Sequence, residues 1–479
     1  MNTAYQIVIG LEIHIQMQTQ RKLFAVESSG FTEAPNTQVS VITWAHPGVL
    51  PQLNQQAVRL ALRMGLATHC SIDQTCRFAR KHYFYPDLPK GYQRTQSDRP
   101  ICHDGHLDIY AGGDWKRINI ERIHMEEDAG KSIHDQHPTS SFVDLNRAGT
   151  PLLELVTRPE LHSIDDAVAF LAEIRRIARY HGVSDGDMEK GNLRCDANIS
   201  LRPSADHPLG TRVEVKNLNS FSFLQRAITF EVDRQSSLLD RGLPVEQETR
   251  AFDSRNGTTL SMRNKENAQD YRYLTEPDLP SLHIPDAWLT EEKKHIVELP
   301  FQRFKRYTDQ LGLGEAEALT LIESWGMTTY LEHMMELGSP GKASANWLLG
   351  PVNSIWNDEQ WIQASISPEK MSQLVSLIDQ GGISHHDAKD KLLPALAATP
   401  TATPDDLAEK LSLKLVSQAG HIEGLMDSIM AANPAEVQRY RGGKKGLVGF
   451  FVGKVMRELK GGADPKEVNQ VVRKMLEEE

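Results

Sequence analysis

No stretch of this chain stays apolar for the ~18–20 residues that a bilayer-spanning helix needs. The opening residues, Met1-Asn2-Thr3-Ala4-Tyr5-Gln6, lack the basic segment and apolar run of a signal peptide. A cytoplasmic protein with no membrane partner is the expectation. Cysteine is scarce. Cys70, Cys76, Cys102 and Cys195 are the four, and no pair has C-x-x-C spacing. That argues against a structural zinc or a disulfide framework. G-x-G-x-x-G and G-x-S-x-G are both missing. Gly130-Lys131-Ser132 suggests a P-loop, but that motif needs a glycine where Met125 stands. Any nucleotide must be held without a Walker motif. An overall basic charge is missing too, since 53 basic and 64 acidic residues leave a net −11. Contact with nucleic acid then requires a local patch of positive charge.

What is present suits a folded protein of several parts. The 479 residues allow about two to four domains. Tyr5 to Met17 alternates apolar and polar residues with only Val8 out of phase, which reads as a half-buried strand. Arg194–Arg202 and Thr211–Lys216 alternate in the same way. A helix is expected after Ser163, with Val168, Leu171, Ile174 and Ile177 on its apolar face and Gly182 at its end. Phe221–Leu239 reads as a second helix. The composition changes near Glu276-Pro277-Asp278-Leu279-Pro280, which reads as a linker running through Pro285, and the chain beyond it reads as helical. A second break falls at 399–404. In the tail, Leu447, Phe451, Val455 and Leu459 share a helix face closed by Gly461-Gly462. Asp464, Pro465 and Glu467 begin a final helix. From Arg439 to Lys460 there are seven basic residues and one acid, an island of +6 in an acidic chain.

Several polar groups stand where chemistry could use them. Glu12 and His14 leave one strand face about 7 Å apart and can converge on a divalent cation. Glu126-Glu127-Asp128 are three adjacent acids that repel unless a cation or water separates them. Ile118 and Ile120 are out of phase with Ile123 and Met125. A bulge between them is expected, and which glutamate faces the site stays open. Arg80-Lys81-His82-Tyr83, continuing to Tyr92, mixes bases, aromatics and turn formers in what reads as a loop. Bases there could clamp phosphate, and tyrosines could stack on a nucleobase. Arg194, Asp196, Asn198 and Ser200 share a strand face, and Glu214 and Lys216 share another. Together they could line a polar cleft or form the wet side of a sheet.

Taken together, these stretches resemble one family, the B subunit of the tRNA-dependent amidotransferase (GatB). The matching strings are VIGLEIHIQ (8–16), RKHYFYPDLPKGYQ (80–93), EEDAGKSIH (126–134), DLNRAGTPLLELV (144–156), LRCDANISLRP (193–203), EVKNLNSF (214–221), QETRAFD (247–253), DYRYLTEPDLP (270–280) and the tail from 443 to 469. Two departures stand out. Val39–Pro51 lacks the cysteines some members carry, and His82 replaces a common Asn.

The resemblance implies an α+β architecture. A mixed α/β cradle-like catalytic domain (1–290) precedes a helical domain (291–403) and a small helical tail (404–479) that binds tRNA. It implies a ligase that uses ATP to phosphorylate the side-chain carboxylate of Glu-tRNA(Gln) or Asp-tRNA(Asn). Ammonia from a glutaminase A subunit then completes the amide, and a small C subunit stabilises the pair. Glu12, His14 and one or both of Glu126 and Glu127 match the family's magnesium site. Arg80, Lys81, Tyr83, Arg194 and Lys216 are the candidates for holding ATP. Glu12, His14, Lys81, Glu127, Asp196 and Lys216 are the candidates for catalysis, and Lys444, Lys445, Lys454 and Arg457 for tRNA. A free-standing ATP-dependent ligase for a small carboxylic acid and a non-catalytic RNA-binding scaffold are the rival readings.

Overall fold

A computed structural model describes residues 5–134, 137, 139–264, 271–356, 365–414, 419–459 and 465–477. Two compact units divide the chain, Met1–Lys305 and Arg306–Glu479. The architecture is α+β, with every described strand in the first unit.

The strands are β1 (Gln6–Gln16), β2 (Ser71–Ile72), β3 (Thr75–Cys76), β4 (Ala79–His82), β5 (Tyr92–Thr95), β6 (Cys102–Ala111), β7 (Asp114–Glu127) and β8 (Lys131–Ile133). They continue with β9 (Phe142–Asp144), β10 (Pro151–Thr157), β11 (Leu193–Arg202), β12 (Val213–Lys216), β13 (Glu248–Asp253), β14 (Thr258–Asn264), β15 (Leu274–Thr275) and β16 (Leu282–His283). Nine of them form one sheet in the order β14-β13-β12-β11-β1-β10-β7-β6-β2. Only the β12–β13 pair is parallel among its described pairings. The alternation in β1 explains its central place. Ile9, Leu11, Ile13 and Ile15 are buried in the core, and Glu12 and His14 project from the opposite face.

Helices α1 (Gln55–Ala67), α2 (Ile164–Tyr180) and α3 (Phe221–Asp240) cover the apolar face. Ser163 caps α2 by accepting the Asp166 N–H at 3.0 Å, and Gly182 beyond its end takes φ +62°. Leu171, Ile174 and Ile177 are buried, with Val168 half-buried beside them. Ser220 caps α3 in the same way through the Phe223 N–H. The expected bulge in β7 falls at Glu121. Ile120 pairs with Thr157 and Arg122 with Val156, so one residue is inserted and the phase reverses.

The segment from Glu276 to Pro285 is no loose linker. Glu276 is 1 % exposed and receives hydrogen bonds from both Arg80 and Arg94. β15, just before the segment, pairs with β4, and β16, within it, pairs with β3. The helix Asp286–Lys293 also belongs to the first unit, because its buried Glu292 pairs with Arg59 and Arg63 of α1 at 2.8 and 2.5 Å. The first unit thus continues past residue 290.

The second unit is helical throughout its described residues. Thr403 caps the helix Pro404–Lys410 through the Asp406 N–H, with proline in its first turn. Ile422, Met426, Phe451, Val455, Val468, Val472 and Leu476 form a separate small core. Leu447 and Leu459 lie partly buried against it. The expected stop at Gly461-Gly462 and the Asp464 cap fall outside the described residues, as does Lys460.

Candidate active site

Four neighbouring strands build the site. Their registers place His124 of β7 opposite Glu154 of β10, Glu154 opposite His14 of β1, and His14 opposite Arg194 of β11. One row of polar side chains therefore crosses β7, β10, β1 and β11 on the face away from the helices. Glu12 lies two residues from His14 and pairs with Asp196. Glu126 lies two residues from His124, which keeps it on the same face.

The side chains converge. His14 Nε2 is 3.4 Å from Glu126 Oε1 and 3.5 Å from Glu154 Oε2. His124 Nε2 is 3.3 Å from the same Glu154 oxygen. Glu12, His14 and Glu154 form one group, and His124, Glu126 and Glu154 another, each with its ligand atoms within 4.8 Å of one another. Glu126 is 2 % and Glu154 7 % exposed. Carboxylates at this depth need compensating charge. The imidazoles supply it here. Burial alone would push His14 down, but hydrogen bonds and charge from Glu126 and Glu154 carry it up to about 10. His124 rises to about 9 by the same contest. Burial opposes ionisation of Glu126, yet the two imidazoles bring it down to about 2, and Glu154 is likewise held well below the usual range. Burial, and then the charge of Glu154, raises Glu12.

This donor set fits a bound divalent cation. Three carboxylates supply the hard oxygen ligands that magnesium takes, and the imidazoles extend the choice to manganese or zinc. A cation entering the cluster would displace a proton from His14, because a protonated imidazole has no lone pair to give a metal.

Basic groups flank the cluster. Lys81 reaches toward it from β4. Burial lowers its pKa, but Glu126 leads the charges that raise it on balance. Thr95 of β5 donates a hydrogen bond to Glu126 at 3.3 Å. Arg194 donates to Asp128 at 2.8 Å, and its Nε has no hydrogen-bond partner among the described residues. Lys216 bridges Asp196 at 2.7 Å and Glu214 at 2.8 Å. Tyr83 is half-buried nearby. Burial and then Glu126 raise its phenol.

Two candidates lie elsewhere. The segment read as a loop contains β4 and β5, and adjacent strand residues point to opposite faces. Arg80 therefore faces away from Lys81. It binds Glu276 at 2.7 Å and Asp278 at 2.9 Å and stacks 4.3 Å from the Tyr92 ring centre. Glu127 likewise points away from Glu126. Lys90 Nζ is 3.1 Å from it, and the Arg94 backbone N–H donates to it at 3.0 Å. The structure does not bring either residue to His14.

The sequence pattern passes over Glu154 as a site residue and Lys90 and Arg94 as partners of Glu127, whereas alternation places His124 with Glu126 and Asp128 but gives it no role. The signal for Glu154 is a lone acid in the apolar string PLLELV. In the tail, Lys444, Lys445 and Arg457 are exposed. Lys454 donates to Asn433 at 2.7 Å and lies 4.7 Å from the Phe450 ring centre.

An acid–imidazole cluster whose donors fit a divalent cation, with basic side chains beside it, lies on the face of the mixed sheet away from the helices. Residues 7–290 match the family described as the GatB/GatE catalytic domain, and residues 329–476 match the GatB domain. The chain belongs to the GatB family. It is 46 % identical over 480 residues to the B subunit of the aspartyl/glutamyl-tRNA(Asn/Gln) amidotransferase of Geobacter sulfurreducens, covering 98 % of this chain and 99 % of that one. It is 44 % identical over 478 residues to the protein of the same name in Syntrophotalea carbinolica, covering 99 % of each. Against the Oleidesulfovibrio alaskensis protein of that name the identity is 45 %, over 98 % of this chain and 99 % of that one.

Proposed function

We propose that this chain is the amidating component of a glutamine-hydrolysing Asp/Glu-tRNA(Asn/Gln) amidotransferase, working in the cytoplasm with a glutaminase A subunit and a small C subunit. The observation that carries this reading is the row His124–Glu154–His14–Arg194, which lies inside the segment matched as a catalytic domain. The likeness over nearly the whole chain to amidotransferase B subunits favours it over a free-standing ligase.

A carboxylate resists attack by ammonia because its leaving group would be oxide. In the first step, a side-chain carboxylate oxygen of the tRNA-bound Glu or Asp attacks the γ-phosphorus of ATP, and the bond to ADP breaks. In the second, the lone pair of ammonia attacks the acyl carbon, the bond to phosphate breaks, and the nitrogen loses a proton. Glu12, His14, Glu126 and Glu154 would hold Mg²⁺, with His124 behind them; when bound, the ion offsets phosphate charge. Lys81 and Lys216 hold phosphate oxygens, and the unpartnered Arg194 Nε is a ready donor to them. Asp196 orients Lys216. Tyr83 walls the site beside Lys81. Glu127 and Arg80 act as supports of the β4–β5 region. Lys444, Lys445 and Arg457 contact tRNA phosphates.

The test is amide formation on Glu-tRNA(Gln), and separately on Asp-tRNA(Asn), by the complex with its A and C partners, ATP and Mg²⁺. Wild type yields product, and Glu12→Ala loses most of it while the complex still assembles. No product from either tRNA overturns the reading.

A further inference from the structure

Beside the catalytic face runs a series of tyrosine rings. Tyr85 and Tyr83 have ring centres 6.3 Å apart, Tyr83 and Tyr271 6.4 Å, and Tyr271 and Tyr273 6.1 Å, each pair edge to face. The inner rings, Tyr83 and Tyr271, are half-buried. The outer ones open to solvent, Tyr85 at 58 % and Tyr273 at 52 % exposed, with Phe84 at 86 % next to them. Apolar rings left this open are costly to keep in water and mark a contact surface.

The ladder is held in place. The His82 backbone N–H donates to the Tyr271 carbonyl, and the His82 ring nitrogen Nδ1 hydrogen-bonds the Arg272 carbonyl, both at 2.9 Å. Arg272 sits at φ +44°, a conformation a side chain rarely takes without such support. The Phe84 ring packs on Gly91, where an added Cβ would come within 3.0 Å of it. The inner end connects to the chemistry. Lys81 Nζ lies 4.9 Å from the Tyr271 ring centre, and the charge of Glu126 reaches both Lys81 and Tyr273.

We infer that Tyr85, Tyr83, Tyr271 and Tyr273 form a stacking platform for the unpaired 3′ end of the tRNA substrate. This rests on the function proposed above and names the part of the substrate read here. The amino acid is esterified to that end. If its carboxylate lies at Lys81 and Glu126, the last nucleotides are within a few ångströms of Tyr271. Single-strand binders place successive bases on exposed aromatic faces, each worth a large factor in affinity and indifferent to sequence. Four consecutive rings suit a strand of several bases. The adenine of ATP would need one face, not a ladder ending in solvent. Lys81, 4.9 Å from the Tyr271 ring centre, ties the inner end of the ladder to the reacting carboxylate. His82 acts as a positioning residue through Arg272.

The experiment uses the full complex with its A and C partners and the variants Tyr273→Ala, Tyr85→Ala and the double variant. Two quantities are read: the dissociation constant for deacylated tRNA, intact or lacking its unpaired 3′ nucleotides, and the KM values for Glu-tRNA(Gln) and ATP. The double variant is expected to bind intact tRNA about five- to a hundred-fold more weakly. The difference should vanish on the truncated tRNA, KM for ATP should stay within about twofold, and Tyr273→Trp should restore binding. A rise in KM for ATP alone would overturn the proposal in favour of adenine. Failure to retain the A or C partner would overturn it in favour of a protein contact. Unchanged tRNA binding would reduce the rings to packing. Binding is read without turnover, so a complex that makes no amide at all would refute the proposed function and leave this result separately readable.

Discussion

Glu154 and His14 stand directly opposite one another on neighbouring antiparallel strands, with Oε2 and Nε2 3.5 Å apart. The same carboxylate oxygen is 3.3 Å from His124, so Glu154 joins the two halves of the acid–imidazole cluster. Glu154→Gln keeps the shape and removes the shared charge. Divalent-cation affinity, read by calorimetry, should fall by at least about tenfold, and amide formation should fall with it. Retained affinity would move the cation elsewhere.

Glu126 and Glu127 are neighbours whose side chains point apart, one toward His14 and the other toward Lys90. Glu126→Gln should weaken cation binding as Glu154→Gln does. Glu127→Gln should leave cation affinity within about twofold. It removes a buried charge that Lys90 and Arg94 share, so unfolding free energy should drop by about 3 kcal/mol. Denaturant unfolding of both variants distinguishes the two roles.

Arg80→Ala tests the same division on β4. Glu276 keeps Arg94 at 2.7 Å but loses Arg80. Stability should fall by about 1–3 kcal/mol, and KM for ATP should stay near the wild-type value. Lys81→Ala should do the reverse, with little change in stability and a large loss of amidation.

Lys22 offers a pH test. It is fully buried, and its ammonium donates to the Gln38 carbonyl at 2.7 Å. Burial lowers its pKa to about 8 against the partial support of Glu27. Between about pH 8 and 10.5 the folded chain has released this proton and the unfolded chain still binds it. Stability therefore gains a rising contribution across that window, and the cost of burying the charge is fully present below pH 8. Lys22→Met should abolish the rise, as unfolding curves at pH 7.5 and 10 would show.

In the tail, reversing the exposed Lys444 and Lys445 to Glu should weaken tRNA binding and lower its dependence on salt. Lys454→Ala should do less, because that ammonium is already committed to Asn433. Filter binding across a salt series reads both.

Where a strand has one wet face, the sequence is enough to place its polar side chains together on that face. Glu12, His14, Arg194, Asp196 and Lys216 are legible because alternation with period two sends them to one side of β1, β11 and β12. Glu154 is not, because β10 is buried along almost its whole length and reads as an apolar run without phase. The choice between Glu126 and Glu127 depends on the extra residue at Glu121, whose existence the phase change shows but whose position it does not. Arg80 misleads because β4 and β5 are four residues each and hide among turn formers. Glu276 misleads because two prolines nearby resemble a linker, whereas its burial answers two arginines distant in sequence.

In the proposed mechanism the side-chain carboxylate is phosphorylated before it is amidated. Glu-tRNA(Gln) carrying ¹⁸O in both side-chain carboxylate oxygens, turned over by the complex with ATP, Mg²⁺ and glutamine, tests it directly. Mass spectrometry of the released phosphate should find one ¹⁸O for each amide formed, left there when ammonia breaks the acyl–oxygen bond. Unlabelled phosphate, or label in AMP, would contradict it.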